Sequence, residues 1–435
     1  MRVLNTGVAA GVLMLGMART ASAQRLDDYI NANIPGFDTQ PGVTVASRLR
    51  KGYDYQGLRM GDFTVLPELN QSIGFDSNVT GTKQPQGSGF SETQGSVQAT
   101  SNWGRDSLGG LVSVDNNRFF SQPRQSYTNW TASAGGTYEI GRDVLYAGFT
   151  HLNLNQTPRD LDVPQLDAPI PFQIDDGRLN YRMVFSKLAV QPGIEIAGYS
   201  YSNGTAQGMP FIQSYRDRVE FTPSLTLSYD VAPLRSLVFV VNNSTARYTN
   251  QTPGSPTLNF NNFSALGGVS FDTGGKLRYR VLVGYATRHF SSSQFATISA
   301  PIVEASVAWN VTGLTTVTAS AARYIQDGSS DSTVGYTETA LKLAVDHEYL
   351  RNVLLNGHAV LYRDNYSQNQ GTQTFYAVGT SATWLMNRHM RLVGSYEFSS
   401  RQSDTTALFN SPGSIQGFGA SYADNRFLLQ LKVGL

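Results

Sequence analysis

Five histidines could carry metal or acid–base chemistry: His151, His289, His347, His358 and His389. None stands in an H-E-x-x-H pair or at another ligand spacing, so no zinc site is expected. The chain has no G-x-S-x-G nucleophile elbow and no G-x-x-x-x-G-K-[ST] phosphate loop. Gly417-Phe418-Gly419 is a lone G-x-G in a strand-like stretch, which relieves crowding in a curved sheet more readily than it cradles phosphate. Two constellations could be cast as a hydrolase acting on lipid or peptide: His151 with Asn153 and Asn155, and Asp346 with His347. Polar side chains of a rim or channel wall explain both more simply. No catalytic residue, metal or cofactor is expected.

The elements that hold these residues have period two. In "KLRYRVLVGYATRHF", Leu277, Tyr279, Val281, Val283 and Tyr285 share one face, with Arg278, Arg280, Leu282, Gly284, Ala286 and Arg288 opposite. In "RVEFTPSLTLSYD", Val219, Phe221, Leu225, Leu227 and Tyr229 oppose Arg218, Glu220, Thr222 and Thr226. The chain ends the same way: Phe427, Leu429, Leu431, Val433 and Leu435 against Leu428, Gln430, Lys432 and Gly434. From about residue 62 onward such strands follow one another without a helix. Their connections alternate between short turns (Gly141–Asp143, Thr273–Gly275, Asn387–Arg388) and long polar loops (157–176, 203–213, 402–416). Nine long and eight short connections give eighteen strands.

That layout implies an all-β fold: a transmembrane antiparallel up-and-down barrel of about 18 strands over residues 61–435, with periplasmic turns and extracellular loops. An unpaired strand edge cannot exist in lipid, so the last strand should close on the first, "FTVLPELNQSIGFDSNV". A soluble propeller or solenoid would show a fixed repeat, and none is present.

Residues 1–23 read as a secretory signal: Arg2, an apolar run to Met17, then Ala21-Ser22-Ala23 before Gln24. Without them the chain carries 31 basic and 32 acidic residues, which argues against nucleic acid as a partner. The chain has no cysteine and hence no disulfide. Residues 24–60 form a lead-in that lies in the periplasm or plugs the lumen, with a short helix expected in "LDDYINANIPG" capped by Gly36.

Side-chain parity places ten basic residues inward: Arg178, Arg182, Arg218, Arg278, Arg280, Arg288, Arg391, Arg401, Arg426 and Lys432. The inward acids are Glu220, Asp230, Glu338, Asp346 and Glu397. This excess gives a weak anion preference of the ring-of-charge kind, or a mixed wall with none. A charge at Val281, in the lipid-facing row, should impair assembly. The same charge at Leu282 should be tolerated, since that side faces water.

The block "RLRKGYDYQGLRMGDFTVLPELNQSIGFDSNVTG" resembles the opening segment of the putative β-barrel porin 2 family, outer-membrane barrels of Proteobacteria that include EpsL-like members of exopolysaccharide operons. The matching positions are Arg50, Tyr53, Asp54, Gly57, Arg59, Gly61, Phe63, Pro67, Gly74, Asp76 and Asn78. The resemblance implies a Gram-negative outer-membrane location. It also implies outer-membrane lipid and the barrel-assembly machinery as partners, and it raises export of polysaccharide with periplasmic export proteins. The expected function is a passive channel for ions or hydrophilic solutes, possible exopolysaccharide export included. The alternatives are a barrel hydrolase and a plugged structural or adhesive barrel.

Overall fold

The structure, a computed structural model, describes residues 34–37, 43–251, 254–273, 275–330, 333–405, 408–409, 415–416 and 419–435. Residues 1–23, read above as a secretory signal, most of the expected lead-in helix, and Gly417 and Phe418 lie outside the described residues.

Eighteen long strands follow in chain order: β1 Phe63–Asp76, β2 Ser88–Ser101, β3 Ser107–Phe119, β4 Tyr127–Ile140, β5 Asp143–Gln156, β6 Ile170–Phe185, β7 Leu188–Tyr201, β8 Arg218–Ala232, β9 Arg235–Tyr248, β10 Phe260–Asp272, β11 Leu277–Phe290, β12 Ile298–Thr312, β13 Thr315–Ser330, β14 Thr333–Leu350, β15 Val353–Tyr366, β16 Thr372–Leu385, β17 Met390–Ser403 and β18 Tyr422–Gly434. Each pairs antiparallel with its sequence neighbours. The ring shuts where β18 meets β1, in register from Glu68↔Gly434 to Asp76↔Arg426. The terminal strand thus has the partner that lipid demands. A short strand, Leu58–Met60, pairs with β1 from Leu58↔Val65 to Met60↔Phe63, below the point where β18 stops. The Gly57 N–H donates to the carbonyl of Leu435 at 2.8 Å, so the lead-in continues the line of β18 along the same edge.

The two faces of the wall follow the alternation. Phe427, Leu429 and Val433 are exposed on the lipid side, while Gln430 and Lys432 are buried on the lumen side. On β11, Val283 is 59% exposed and Leu282 0%. Leu282 faces inward as parity requires, yet it does not meet water. It packs with Val238, Leu266, Ala286, Ala300, Ile302 and Ile325. The reason is a departure from a plain cylinder. Pairing of β13 with β12 reaches only Val303↔Arg323, while β13 and β14 stay paired out to Ser330↔Thr333. The free end of that hairpin leaves the wall, and its Ile325 covers the inner face of β11 and β12.

The expectation that a charge at Leu282 is tolerated is therefore corrected. Val281→Arg puts a charge in the lipid-facing row between Tyr279 and Val283 and should reduce the folded fraction. Leu282→Arg buries a charge in an apolar cluster and should also reduce the folded fraction. Arg280→Gln, on the same inward face but exposed, should leave it unchanged. Heat-modifiability on gels reads all three; a fully folded Leu282→Arg barrel would refute the packing.

Candidate functional site: a lumen narrowed from both ends

The loop between β5 and β6, residues 157–169, turns into the barrel. Its Leu161 packs with Tyr362, Phe375 and Tyr422, side chains of β15, β16 and β18. Val163 and Leu166 pack with Phe211, Tyr336 and Tyr366. The loop reaches the far wall because polar groups there meet its backbone and its arginine. Arg159 Nη1 donates to Asp76 Oδ2 and to Asp424 Oδ2, both at 2.8 Å. These two carboxylates are buried on β1 and β18, side by side across the closing seam. Asn78 completes the joint: its N–H donates to Asp76 Oδ1 at 3.0 Å and Asp424 Oδ1 at 2.9 Å. Arg401, fully buried, donates to the carbonyls of Asp160 (2.9 Å) and Ala420 (3.0 Å). The in-folded hairpin joins the same assembly. Ser329 donates to the Asp162 carbonyl, and Tyr215 donates to the Ser329 carbonyl.

The periplasmic end is crossed by the lead-in. Ile34 and Phe37 cluster with Leu111 on the inner face of β3. Pro35 lies where any side chain on Gly109 would be, 2.7 Å from an added Cβ, and the Phe37 ring fills the same space at Gly148. Glycine on the wall is what lets this segment lie so close. Nine strands away from β4, the Val45 N–H donates to Thr316 Oγ1 of β13 at 2.9 Å. Arg48 and Arg50 both bind Glu348 of β14, Arg50 at 3.0 Å. Arg391 of β17 binds Asp54 at 3.3 Å and lies 4.3 Å from the Tyr55 ring. Burial pushes the Tyr55 phenol up to about 12, helped by Glu68 and opposed by Arg391.

The inward charges proposed from parity are mostly neutralised where they stand. Arg178 binds Asp176 at 2.8 Å and Glu195 at 3.5 Å. Arg218 binds Glu220 at 2.7 Å and Asp327 at 2.8 Å, and Arg288 binds the same Asp327. Arg278 binds Asp272 at 2.6 Å, and Arg426 binds Glu92 at 3.1 Å. Lys432 is buried at the seam, in register with Asn70. Arg182 and Arg280 are exposed and have no ion-pair partner among the described residues. Of the acids, Glu397 meets His358 at 3.1 Å and Asp346 accepts from Asn356 at 2.9 Å. Glu338 is buried opposite Asp364 on β15. Asp230 is exposed at a periplasmic turn.

Neither hydrolase constellation assembles. Asp346 and His347 are consecutive in β14 and so point to opposite faces; His347 meets the Thr315 hydroxyl at 2.9 Å. His151 lies on the outer face of β5, 2.7 Å from Asp175 and beside the Trp130 ring. Parity reasoning missed Arg159, Asp424, Asp327 and Glu92. Asp76, Asn78, Arg50 and Asp54 did carry a signal, since they stand in the sequence block that resembles a barrel family.

The fold and its narrowed lumen define an outer-membrane β-barrel of the porin class. The chain belongs to the family described as "Putative beta-barrel porin 2", whose model matches residues 51–419. Among solved structures it is similar to OccK2 (OpdF) of Pseudomonas aeruginosa, at 12% identity and a TM-score of 0.46, covering 87% of this chain and 100% of that one. OccAB3 of Acinetobacter baumannii is similar at 8% identity and 0.45, covering 86% and 100%. A BenF-like porin from Pseudomonas fluorescens Pf-5 is similar at 10% and 0.44, covering 86% and 100%. Comparison with curated proteins gave no match.

Two predictions concern the loop. Arg159→Gln leaves two buried carboxylates without their cation, a loss of about 3–5 kcal/mol for a broken buried pair. Single-channel recording should show larger or flickering steps; steps identical to wild type would refute the latch. Asp160, in the same loop, is pushed up to about 6 by burial, against the pull of the Thr157 N–H and hydroxyl and of Arg159 and Arg401. A raised carboxyl stabilises the docked loop fully below its free value, near 4, and that contribution fades as pH rises through 6. Conductance should therefore be smaller at pH 4.5 than at pH 7.5, and Asp160→Asn should flatten the difference.

Proposed function

We propose that the protein is a passive outer-membrane channel for ions and small hydrophilic solutes, narrowed by the 157–169 loop and by the lead-in. The observation that carries this reading is the division of the wall strands into an apolar lipid face and an inner face of arginines, acids, amides and hydroxyls. Arg182 and Arg280 both lie three residues from the periplasmic end of their strands, on the inward parity. Unneutralised charge at one mouth attracts counter-ions and sets a weak anion preference. On this reading residues 1–23 direct export, and the barrel-assembly machinery inserts the chain. An exopolysaccharide could pass only with both loop and lead-in displaced, so export is the less direct reading. The family match, to a porin family, favours transport over hydrolysis.

Residues 24–435 refolded into a planar bilayer under a salt gradient should give steady steps with a reversal potential favouring anions. Arg182→Gln with Arg280→Gln should move that potential toward zero while the steps persist. A folded but silent barrel would refute an open channel. Deleting residues 34–57 should then restore conductance if the lead-in is what closes it.

A further inference from the structure

The lipid-facing wall carries one feature that solute passage does not use. Arg323 of β13, Thr339 of β14 and Arg363 of β15 stand in a single cross-strand row, Arg323↔Thr339↔Arg363, which continues to Thr374 of β16. The row points outward. Leu341 and Leu361, two residues nearer the periplasm on the same faces, are exposed, whereas the alternating Glu338, Ala340, Tyr362 and Asp364 are buried inside. Arg323 Nη1 donates to the Thr339 hydroxyl at 2.7 Å, and Arg323 Nε is buried with no acceptor among the described residues. Arg363 is exposed and has no ion-pair partner among them.

Among the described residues no acid on this face answers the two cations. Asp404, on the next rung outward, is already held by the Thr372 N–H at 2.5 Å and the Thr372 hydroxyl at 3.1 Å. The depth of the row narrows what could. Tyr349, 65% exposed, marks the periplasmic end of the same face of β14. Ten residues at about 3.4 Å each, tilted by about 40°, place Thr339 about 26 Å above it, which is the height of the apolar band. The row therefore sits at the outer-leaflet headgroups. Arginines two strands apart are about 10 Å apart at their Cα atoms, so both guanidinium groups can converge on one anion over Thr339.

We propose that Arg323, Thr339 and Arg363 bind a phosphate of the phosphorylated glycolipid of the outer leaflet. The two guanidinium groups supply charge-assisted hydrogen bonds, and the apolar surface of Leu341 and Leu361 below takes the acyl chains. The site rests on the outer-membrane placement of the barrel and not on conduction, so a silent channel leaves it standing.

Native mass spectrometry of the full barrel, loaded in detergent with phosphorylated lipid A, tests the site. The wild type should retain one lipid. Arg323→Gln with Arg363→Gln should lower retention by at least about tenfold, while Arg247→Gln, outward on β9, should not change it. Heat-modifiability confirms that each variant is folded. Should the double variant not fold, lipid A stripped of its phosphates decides on the wild type: equal retention of the stripped lipid overturns the proposal. Undiminished retention by a folded double variant also overturns it. Displacement of the lipid by millimolar inorganic phosphate would show an ion site and overturn the lipid assignment.

Discussion

The structure depends on closing the sheet. In hydrocarbon every strand edge must be paired, and the pairing of β1 with β18 is what removes the last edge. This seam joins the first wall strand to the last, and it is reinforced from inside. Asp76 and Asp424, one from each seam strand, would repel across it. Arg159 lies between them and turns a like-charge clash into a three-membered ionic joint. The Asn78 backbone N–H bonds both carboxylates, so the strand end itself is locked to the joint.

The same cation belongs to the loop that fills the lumen. Barrel closure and channel narrowing therefore share one interaction. A loop that left the lumen would uncover two buried carboxylates at the seam, which gives the narrow state a thermodynamic anchor beyond apolar packing. The periplasmic end uses a different device: glycines at 109 and 148 thin the wall so that Pro35 and Phe37 can lie against it. Arginines of the lead-in meet Glu348, and Arg391 of the wall meets Asp54. Both narrowings are segments of the chain docked against the inner wall.

Much of this was legible in the residues, in a graded way. The strand count, the short–long alternation of connections and the closure of β18 on β1 follow from period two and from the ban on free edges in lipid. The inward parity of Arg218, Glu220 and Lys432 was equally readable. Their pairing was not. Arg218 reaches Asp327, more than a hundred residues away, only because the β13–β14 hairpin folds inward. Leu282 shows the same limit, since alternation sets the side of the wall but not what stands in front of it.

The sequence by itself determined the wall, because a strand's two faces and its need for a neighbour are local properties that alternation records. Tertiary structure alone decided the interior. Whether a loop of Pro158, Arg159 and Leu161 lies in solvent or in the lumen depends on what the opposite wall offers. Here it offers Tyr362, Phe375 and Tyr422 for burial and Asp76 with Asp424 for charge. Asp76 stands on β1 and the other groups on β15, β16 and β18, so they surround the loop together only once the ring has shut, and no local pattern could encode that.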